Sequence, residues 1–251
     1  MVVKLAIVIA MRYAIVADIH GNLDAFRAVL RDVAVRGGVD EIWCLGDVVG
    51  YGPEPSACLA LLREYPHICV AGNHDWASVG RIDTADFNPD AAVACKWTGR
   101  QLNSHDMDYL EKLPAILTRG EFTIVHGSPR DPLYEYIFSA AIAAGNFQSF
   151  DTRYCLVGHT HVPGIFKQSG IGDIKVSVSA ALSLGKGRLI VNPGSVGQPR
   201  DGDPRASYAL YDETEGVIYN YRIPYDIAAV QRKMKGARLP EFLSQRLSEG
   251  L

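Results

Sequence analysis

Residues 13–20 read YAIVADIH, an apolar run that ends in an aspartate and a histidine. A short continuous apolar run is typical of a strand that is buried on both faces. Four further apolar runs end in the same way, at residues 42–45, 68–71, 122–125 and 154–157. The polar blocks that follow them are Gly46-Asp47, Gly72-Asn73-His74-Asp75, His126-Gly127 and Gly158-His159-Thr160-His161. This pattern predicts that side chains able to bind metals meet beyond the carboxyl ends of strands.

Helices are predicted between the first of these strands. The apolar residues of segment 22–36 recur at helical spacing, and two glycines at 37 and 38 end the segment. A strand at 41–45, a helix at 55–64 and a strand at 67–71 follow. This β-α-β-α-β order predicts parallel strands that are joined by right-handed crossovers.

The second half of the chain has a different pattern of predicted elements. Helices are predicted at 89–103 and 107–113, and segment 132–150 is expected to form short helices that cap the site. After the strand at 154–157, alternating runs predict a second, largely antiparallel sheet, with strands at 164–167, 174–179, 188–191, 208–212 and 217–223. Helices are expected at 225–235 and 241–247. The predicted fold class is α/β, an α+β-type four-layer sandwich with two mixed β-sheets face to face, helices outside, and a metal site at strand ends.

Composition narrows the functional classes. The 251 residues are 48% hydrophobic and 21% charged with a net charge of −3, which is ordinary globular composition. No Pro/Gly/Ser-rich linker divides the chain, so we expect a single domain over residues 1–251. The acidic balance argues against a wide basic face, and no stable nucleic-acid complex is expected.

Cysteine usage favours a reducing compartment. The chain has five cysteines and no CxxC pair, so a disulfide framework is not indicated and a cytoplasmic location is expected. Cys44, Cys69 and Cys155 lie inside apolar strand runs and are interpreted as small core residues.

The amino terminus is unusually apolar. Residues 2–10 are nearly all apolar, but the run is too short to span a membrane, and no membrane association is expected. We interpret Met11 as the natural start and residues 1–10 as an N-terminal extension; a targeting role is the alternative.

The donor types in the polar blocks suit a site for two divalent transition metal ions, Mn, Fe, Ni or Zn. Asp18 and His20 are two residues apart, so in extended chain both project to the same side. Gly46 allows a sharp turn that would free Asp47 to bridge two ions. The predicted metal ligands are Asp18, His20, Asp47, Asn73, His126, His159 and His161. No cysteine belongs to this set, which argues against a structural thiolate zinc site.

Each block taken alone has a structural explanation. An Asp-x-His can be a helix cap beside a hydrogen-bonded histidine, and Gly-Asp can be a simple turn. Two histidines at a strand end rarely serve packing, and the five blocks in this order favour function. His67 and His105 lack such a context and are interpreted as ordinary surface or boundary histidines.

The ordered set of blocks resembles the calcineurin-like metallophosphoesterase superfamily over nearly the whole chain. The resemblance implies that one metal is held by Asp18, His20, Asp47 and His161. It implies that the other is held by Asp47, Asn73, His126 and His159. By the same resemblance His74 is not a ligand and interacts with the phosphate and the leaving group.

Two further stretches of sequence indicate which branch of the superfamily the chain resembles. Residues 125–137, and NPGSVGQPR at 192–200, look like a compact bacterial and archaeal phosphodiesterase branch related to diadenosine tetraphosphatases. In protein Ser/Thr phosphatases, the motif that begins with Gly-Asp reads GDxxDRG, and its arginine binds phosphate. Here residues 46–52 read GDVVGYG, so that arginine is missing.

The predicted function is hydrolysis of a phosphodiester or phosphomonoester by direct attack of a metal-bridging hydroxide. Asp47 and His74 are the predicted catalytic residues, and a charged His74 would protonate the leaving group. Asp75 would either orient His74 and raise its pKa or only cap a following helix. The alternatives are a protein Ser/Thr phosphatase, a nucleoside polyphosphate hydrolase, or a noncatalytic scaffold of the same fold.

The expected partner is a small phosphoester substrate such as a nucleotide; the sequence assigns no oligomeric state. The predicted substrate-binding residues are Asn22, Asn73, Arg130 and Arg200. Asn22 has helix capping as its alternative role. Each arginine is either a bidentate phosphate clamp or a surface ion pair. Tyr51, Tyr134 and Tyr136 either stack on a nucleobase or pack at the rim.

Overall fold

A computed structural model describes residues 11–170 and 173–251, without the side chains of 173–176. The predicted N-terminal extension, residues 1–10, lies outside this range. The strands are β1 Arg12–Val16, β2 Glu41–Cys44, β3 His67–Cys69, β4 Ile116–Arg119, β5 Phe122–Val125, β6 Tyr154–Leu156, β7 Gly164–Gly170, β8 Asp173–Ser177, β9 Ala181–Ser183, β10 Leu189–Asn192, β11 Ala206–Asp212 and β12 Val217–Ile223. The helices are α1 Leu23–Val35, α2 Pro55–Arg63, α3 Asn73–Ser78, α4 Pro89–Gln101, α5 Ser104–Lys112, α6 Ala140–Asn146, α7 Ile227–Gly236 and α8 Glu241–Gln245, followed by a 3₁₀ helix at Arg246–Ser248.

The strands form two mixed sheets, as predicted. The first sheet has the order β3-β2-β1-β11-β12-β9, and the second has the order β4-β5-β6-β10-β7-β8. Strands β1, β2 and β3 are parallel neighbours, which confirms the interpretation of the β-α-β-α-β segment. In the second sheet, β5, β6 and β10 are also parallel neighbours.

The prediction that the late strands form a sheet of their own is wrong. Strands β9, β11 and β12 extend the first sheet, where β11 pairs antiparallel with β1. Strands β7, β8 and β10 complete the second sheet beside β6. The sequence could not predict this division, because alternation along a strand tells which face is buried and not which strand becomes its neighbour.

Strand β1 shows how the layers are held together. Ile15 belongs to a core between the two sheets, together with Ile124 and Leu156 of the second sheet. Val16 faces the other way and packs with Phe26 of α1. This alternation follows from the two-residue period of a strand.

The second sheet has the same arrangement on its outer face. Cys155 of β6 packs there with Ala143 and with Phe147, which directly follows α6. The layers therefore run helices, sheet, sheet, helices. Cys44, Cys69 and Cys155 are buried free thiols, as predicted.

The sequence does not predict strands β4 and β9 or helix α3. Strand β4 is a largely exposed strand at the edge of the second sheet, where it pairs with β5, so it carries no buried apolar run. The block that contains His74 was expected to be a turn, but its residues form the first turn of α3. Asp75 explains this helix, because its carboxylate accepts the Gly72 backbone N–H at 3.0 Å and caps the N-terminus.

In the described ranges, none of the helices combines the length and the apolar character that crossing a bilayer requires. The cytoplasmic location stays a prediction.

Candidate functional site

The polar blocks converge where the ends of the two sheets face each other. The loops after β1, β2 and β3 come from the first sheet, and the loops after β5 and β6 come from the second. The structure brings all the predicted ligands together in one cluster. Each of them is buried: Asp18, His20, Asp47, Asn73, His126, His159 and His161.

Left-handed backbone turns the ligands toward one another. Asp18, His20 and Asp47 have φ angles of 54°, 50° and 52°, and His159 and His161 have φ angles of 64° and 59°. Such angles are uncommon for residues other than glycine, and strained backbone of this kind concentrates at functional sites. Asp18 and His20 lie in one ligand group, as expected, but through left-handed backbone and not because the chain is extended.

The ligand atoms form two groups. In Asp18, His20 and His161 these atoms lie within 4.8 Å of one another, and the same holds for Asp47, His126 and His159. Asp47 lies between the groups, since its Oδ2 is 3.5 Å from His20 Nε2 and 3.3 Å from His126 Nε2. In the second group, Asn73 Oδ1 is 3.2 Å from His126 Nε2.

Backbone carbonyls set the tautomers of the four histidines. The Nδ1 atoms of His20, His126 and His161 lie 3.1, 2.9 and 2.6 Å from the carbonyl oxygens of Val49, Leu45 and Gln198. A carbonyl oxygen only accepts, so each Nδ1 carries a hydrogen. His159 has the opposite tautomer: its Nε2 lies 3.2 Å from the Tyr134 carbonyl oxygen and therefore carries the hydrogen. Such outer hydrogen bonds are the usual way to orient a metal-binding histidine.

The remaining nitrogens point at one another. His20 Nε2 lies 3.1 Å from His161 Nε2, and His126 Nε2 lies 3.1 Å from His159 Nδ1. With Nδ1 protonated in both His20 and His161, two lone pairs face each other, an arrangement that a cation relieves. In addition, Asp18 Oδ2 and Asp47 Oδ2 are buried and have no hydrogen-bond partner in the described part of the chain. These residues therefore fit divalent metal ions.

The electrostatics of the cluster agree with a cation site. Burial lowers the pKa values of His20 and His161 well below the ordinary value, so both stay neutral. Burial also lowers the pKa of His126, but the Asp47 carboxylate outweighs burial and raises that pKa to about 9. Burial raises the pKa of Asp18 to about 7.

His74 lies beside the cluster in the first turn of α3. Its backbone N–H donates to Asp47 Oδ1 at 2.9 Å, and its ring lies 4.3 Å from the Tyr51 ring and 5.3 Å from the Phe87 ring. The Nδ1 atom is 3.1 Å from Cys95 Sγ of α4. Sequence reasoning missed Cys95, because a lone cysteine 21 residues away on another helix carries no local signal.

Asp75 caps the helix, and its carboxylate hydrogen bonds go to the backbone and not to the His74 ring. Its carboxylate accepts backbone N–H groups from Asp47 at 2.8 Å, Val49 at 3.1 Å and Gly72 at 3.0 Å. It therefore ties the loop after β2 to α3. Burial lowers the pKa of His74 to about 4, so the expectation that Asp75 raises this pKa is wrong.

The predicted substrate residues have different surroundings. Asn22 caps α1 through Oδ1, which accepts the Ala25 N–H, and its Nδ2 donates to the Gly197 carbonyl. Arg130 is exposed and forms an ion pair with Glu135. Arg200 approaches the site, with Nη2 3.4 Å from Tyr51 Oη and 2.8 Å from Gln198 Oε1.

An exposed aromatic patch, Tyr136 and Phe138, lies over the second group of ligands. The Tyr136 ring stacks on His159 at 3.9 Å with an 11° angle, and Phe138 stacks on Tyr136 at 5.2 Å. These side chains are 39% and 59% exposed. Segment 132–150 is predicted to cap the site with short helices, but the residues that contact His159 are the non-helical 134–136, and α6 packs in the outer core instead. His67 and His105 lie elsewhere, near Tyr109 and Arg63 respectively.

Known proteins resemble this chain over most of its length. The chain is 37% identical over 242 residues to an uncharacterized protein of Methanocaldococcus jannaschii, covering 94% of this chain and 97% of that protein. A metallophosphoesterase structure from Sphaerobacter thermophilus is 47% identical, with a TM-score of 0.88, and the match covers 96% of this chain and 100% of that one.

A shorter match concerns a symmetrical bis(5'-nucleosyl)-tetraphosphatase of Pseudomonas putida, 33% identical over 104 residues. That match spans 36% of this chain and 36% of the relative.

The family model of the calcineurin-like phosphoesterase superfamily domain matches residues 11–216. The chain belongs to the calcineurin-like phosphoesterase superfamily and is a metallophosphoesterase.

Proposed function

We propose that the chain, acting as a single domain, hydrolyses a phosphoester with two divalent transition metal ions. Asp18, His20, Asp47 and His161 would hold one ion, and Asp47, Asn73, His126 and His159 would hold the other. The observation that carries this proposal is the 3.1 Å approach of the unprotonated His20 and His161 nitrogens. When bound, the two ions would supply positive charge for the phosphoryl oxygens and a more acidic water as nucleophile.

The residues around the ions have separate tasks. Asp47 links the two groups, and its Oδ1 also accepts the backbone N–H of His74 at 2.9 Å. This contact holds His74 beside the place where phosphate binds. His74 donates a hydrogen bond to a phosphoryl or leaving-group oxygen. Arg200 supplies a further positive charge for the phosphate.

A nucleotide-type phosphodiester is the proposed substrate class. The patch of Tyr136 and Phe138 consists of partly exposed, nearly parallel aromatic rings, of which Tyr136 stacks on the candidate ligand His159. Flat aromatic surfaces of this kind stack on nucleobases. In a phosphodiester, two groups are attached to one phosphate. A negatively charged group would contact Arg200, and an aromatic group would stack on this patch. The name of the tetraphosphatase relative supports a nucleotide-type substrate, although the bond cleaved in a tetraphosphate is a phosphoanhydride.

Two other functions are less well supported. A protein Ser/Thr phosphatase would have an arginine at position 51, where this chain has a tyrosine. A noncatalytic scaffold has no use for buried carboxylate oxygens without partners, which Asp18 and Asp47 retain.

The test combines metal content with substrate profiling. Protein loaded with Mn, Fe, Ni or Zn should contain two ions per chain by elemental analysis. It should hydrolyse bis-nucleoside or cyclic nucleotide diesters faster than phosphopeptides. A single ion per chain would refute the dinuclear site, and the absence of turnover on every ester would favour the scaffold. A preference for phosphopeptides would favour a protein phosphatase.

A further inference from the structure

The His74 ring contacts the thiol of a cysteine. Cys95 of α4 is buried, and its Sγ lies 3.1 Å from His74 Nδ1. The other ring nitrogen, Nε2, makes no hydrogen bond to any group in the described ranges. The ring packs against the rings of Tyr51 and Phe87.

The direction of the Cys95–His74 hydrogen bond determines which nitrogen carries the proton. A neutral imidazole has one donor nitrogen and one acceptor nitrogen. If the thiol donates, Nδ1 is the acceptor and Nε2 carries the hydrogen. If the thiol accepts, Nδ1 carries the hydrogen and Nε2 can only accept, which would repel a phosphoryl oxygen.

The surroundings favour the thiol as donor. Burial raises the pKa of the Cys95 thiol far above its usual range, so the sulfur keeps its hydrogen. Asp47 contacts His74 through the backbone N–H and not through the ring, and Asp75 is engaged with the backbone N–H groups of Asp47, Val49 and Gly72. The His74 ring therefore lacks the carboxylate partner that would favour a doubly protonated imidazolium.

We propose that Cys95 is a positioning residue whose S–H donates to His74 Nδ1 and keeps the proton of a neutral His74 on Nε2. Nε2 points away from Cys95 and is free to donate to a substrate oxygen. This inference rests on the proposed function, because His74 is assumed to act on the phosphoester.

The tautomer of His74 can be observed directly. Protein with ¹⁵N-labelled histidine and bound Zn²⁺ would be measured by long-range ¹H–¹⁵N correlation, and His74→Gln would assign the signals. We expect a protonated Nε2 and an unprotonated Nδ1 in the unaltered protein, and a mixture of tautomers in Cys95→Ala. A protonated Nδ1 in the unaltered protein would overturn the inference, whether or not the protein turns over any ester.

Kinetics provide the second readout. Cys95→Ala should lower kcat about 10-fold, the lower end of the effect of removing an orienting partner, with KM and metal content unchanged. Cys95→Ser keeps a donor and should recover most of kcat. Cys155→Ala removes a buried thiol of the outer core and should leave kcat unchanged. Equal kcat values for Cys95→Ala and the unaltered protein would also overturn the inference, whereas lack of activity in all proteins would refute only the proposed function.

Discussion

Some residues in this site contact several neighbouring residues, and Asp47 is the clearest example. Its Oδ2 lies between the imidazoles of His20 and His126, and its Oδ1 accepts the His74 backbone N–H. His20, in contrast, belongs to one ligand group only. The effects of substituting these residues should therefore differ in kind.

Asp47→Asn should damage activity more than His20→Ala does. The first substitution removes a negative charge from both ligand groups, and the second removes one ligand from one group. Elemental analysis should show that both ions are weakened in Asp47→Asn and one in His20→Ala. Asp108→Asn, at an exposed ion pair with Lys112, is the control. Equal metal content and equal residual activity in the two site variants would contradict a bridging Asp47.

Gly50→Ala should displace His74. Gly50 has a φ of 90°, and a Cβ there would lie 2.7 Å from His74 Nδ1. A misplacement of about 1 Å can cost on the order of 10²-fold in rate, so kcat should fall strongly while both metals remain. Gly80→Ala is a matched control, since Gly80 has a φ of 78° with nothing within 4 Å of its Cβ position. The Gly80→Ala variant has the same kind of backbone strain and should keep its kcat. Equal losses of kcat in the two variants would show that strain alone is responsible.

His74→Ala should leave both metals in place and lower the rate about 10²-fold, as expected when a proton or hydrogen-bond donor to the leaving group is lost. The loss should be larger for alkyl esters than for p-nitrophenyl esters, whose leaving groups need no proton. Steady-state rates with both esters and elemental analysis would check this. Loss of a metal would instead indicate that His74 is a ligand.

Among the structural elements, the loop at 192–200 joins the two ligand-bearing loops. The Ser195 hydroxyl and the Gly197 N–H both donate to the Asp18 carbonyl at 2.9 Å. The Gln198 carbonyl accepts from His161 Nδ1, and the Asn192 amide donates to the Gly158 carbonyl at 2.7 Å. The loop thus connects a ligand of the first sheet to a ligand of the second.

Gly197→Ala should lower both stability and metal affinity. A Cβ at Gly197 would lie 1.9 Å from the Ile19 carbonyl oxygen, so the backbone between Asp18 and His20 must move. Overpacking of this kind costs about 1–3 kcal/mol, and thermal unfolding should show a lower Tm. Gly236→Ala, in α7 with nothing within 4 Å, is the control and should keep or raise Tm. An unchanged Tm and metal content in Gly197→Ala would contradict the role of this loop.

At the scale of the whole molecule, the site is part of what holds the two sheets together. The first sheet contributes Asp18, His20 and Asp47, and the second contributes His126, His159 and His161 through the loops after β5 and β6. Buried carboxylates and facing lone pairs would repel each other in the absence of a cation. Folding and metal binding are therefore expected to be coupled.

Metal binding should raise the Tm of the protein. A ligand at 100 times its Kd stabilises by about 2.7 kcal/mol, and each kcal/mol corresponds to roughly 2–4 °C at this chain length. Mn²⁺ or Zn²⁺ should thus raise Tm by several degrees, EDTA should reverse the change, and Mg²⁺ should do less because imidazole suits transition metals. Asp47→Asn should show a smaller shift. A Tm that is independent of metal would contradict ions bound between the sheets.

Much of the site could be predicted from local sequence. An apolar run that ends in Asp18, His126 or His159 reveals both the strand and the polar residue beyond it, because burial and strand end are properties of neighbouring residues. The parallel order of β1, β2 and β3 follows from the helices between them. The cap role of Asn22 was already one of two alternatives, since asparagine before an apolar helix is a common N-cap.

Only the tertiary structure determined which partners these residues have. The late strands divide between the sheets, Cys95 contacts His74, and Arg200 approaches Tyr51 across 149 residues of chain. The left-handed backbone of the ligands is supported by cross-loop contacts such as Gly197 N–H to the Asp18 carbonyl. Sequence patterns report whether a position is buried and how it repeats along the chain. Contacts between distant segments depend instead on how the completed sheets pack, and no local pattern carries that information.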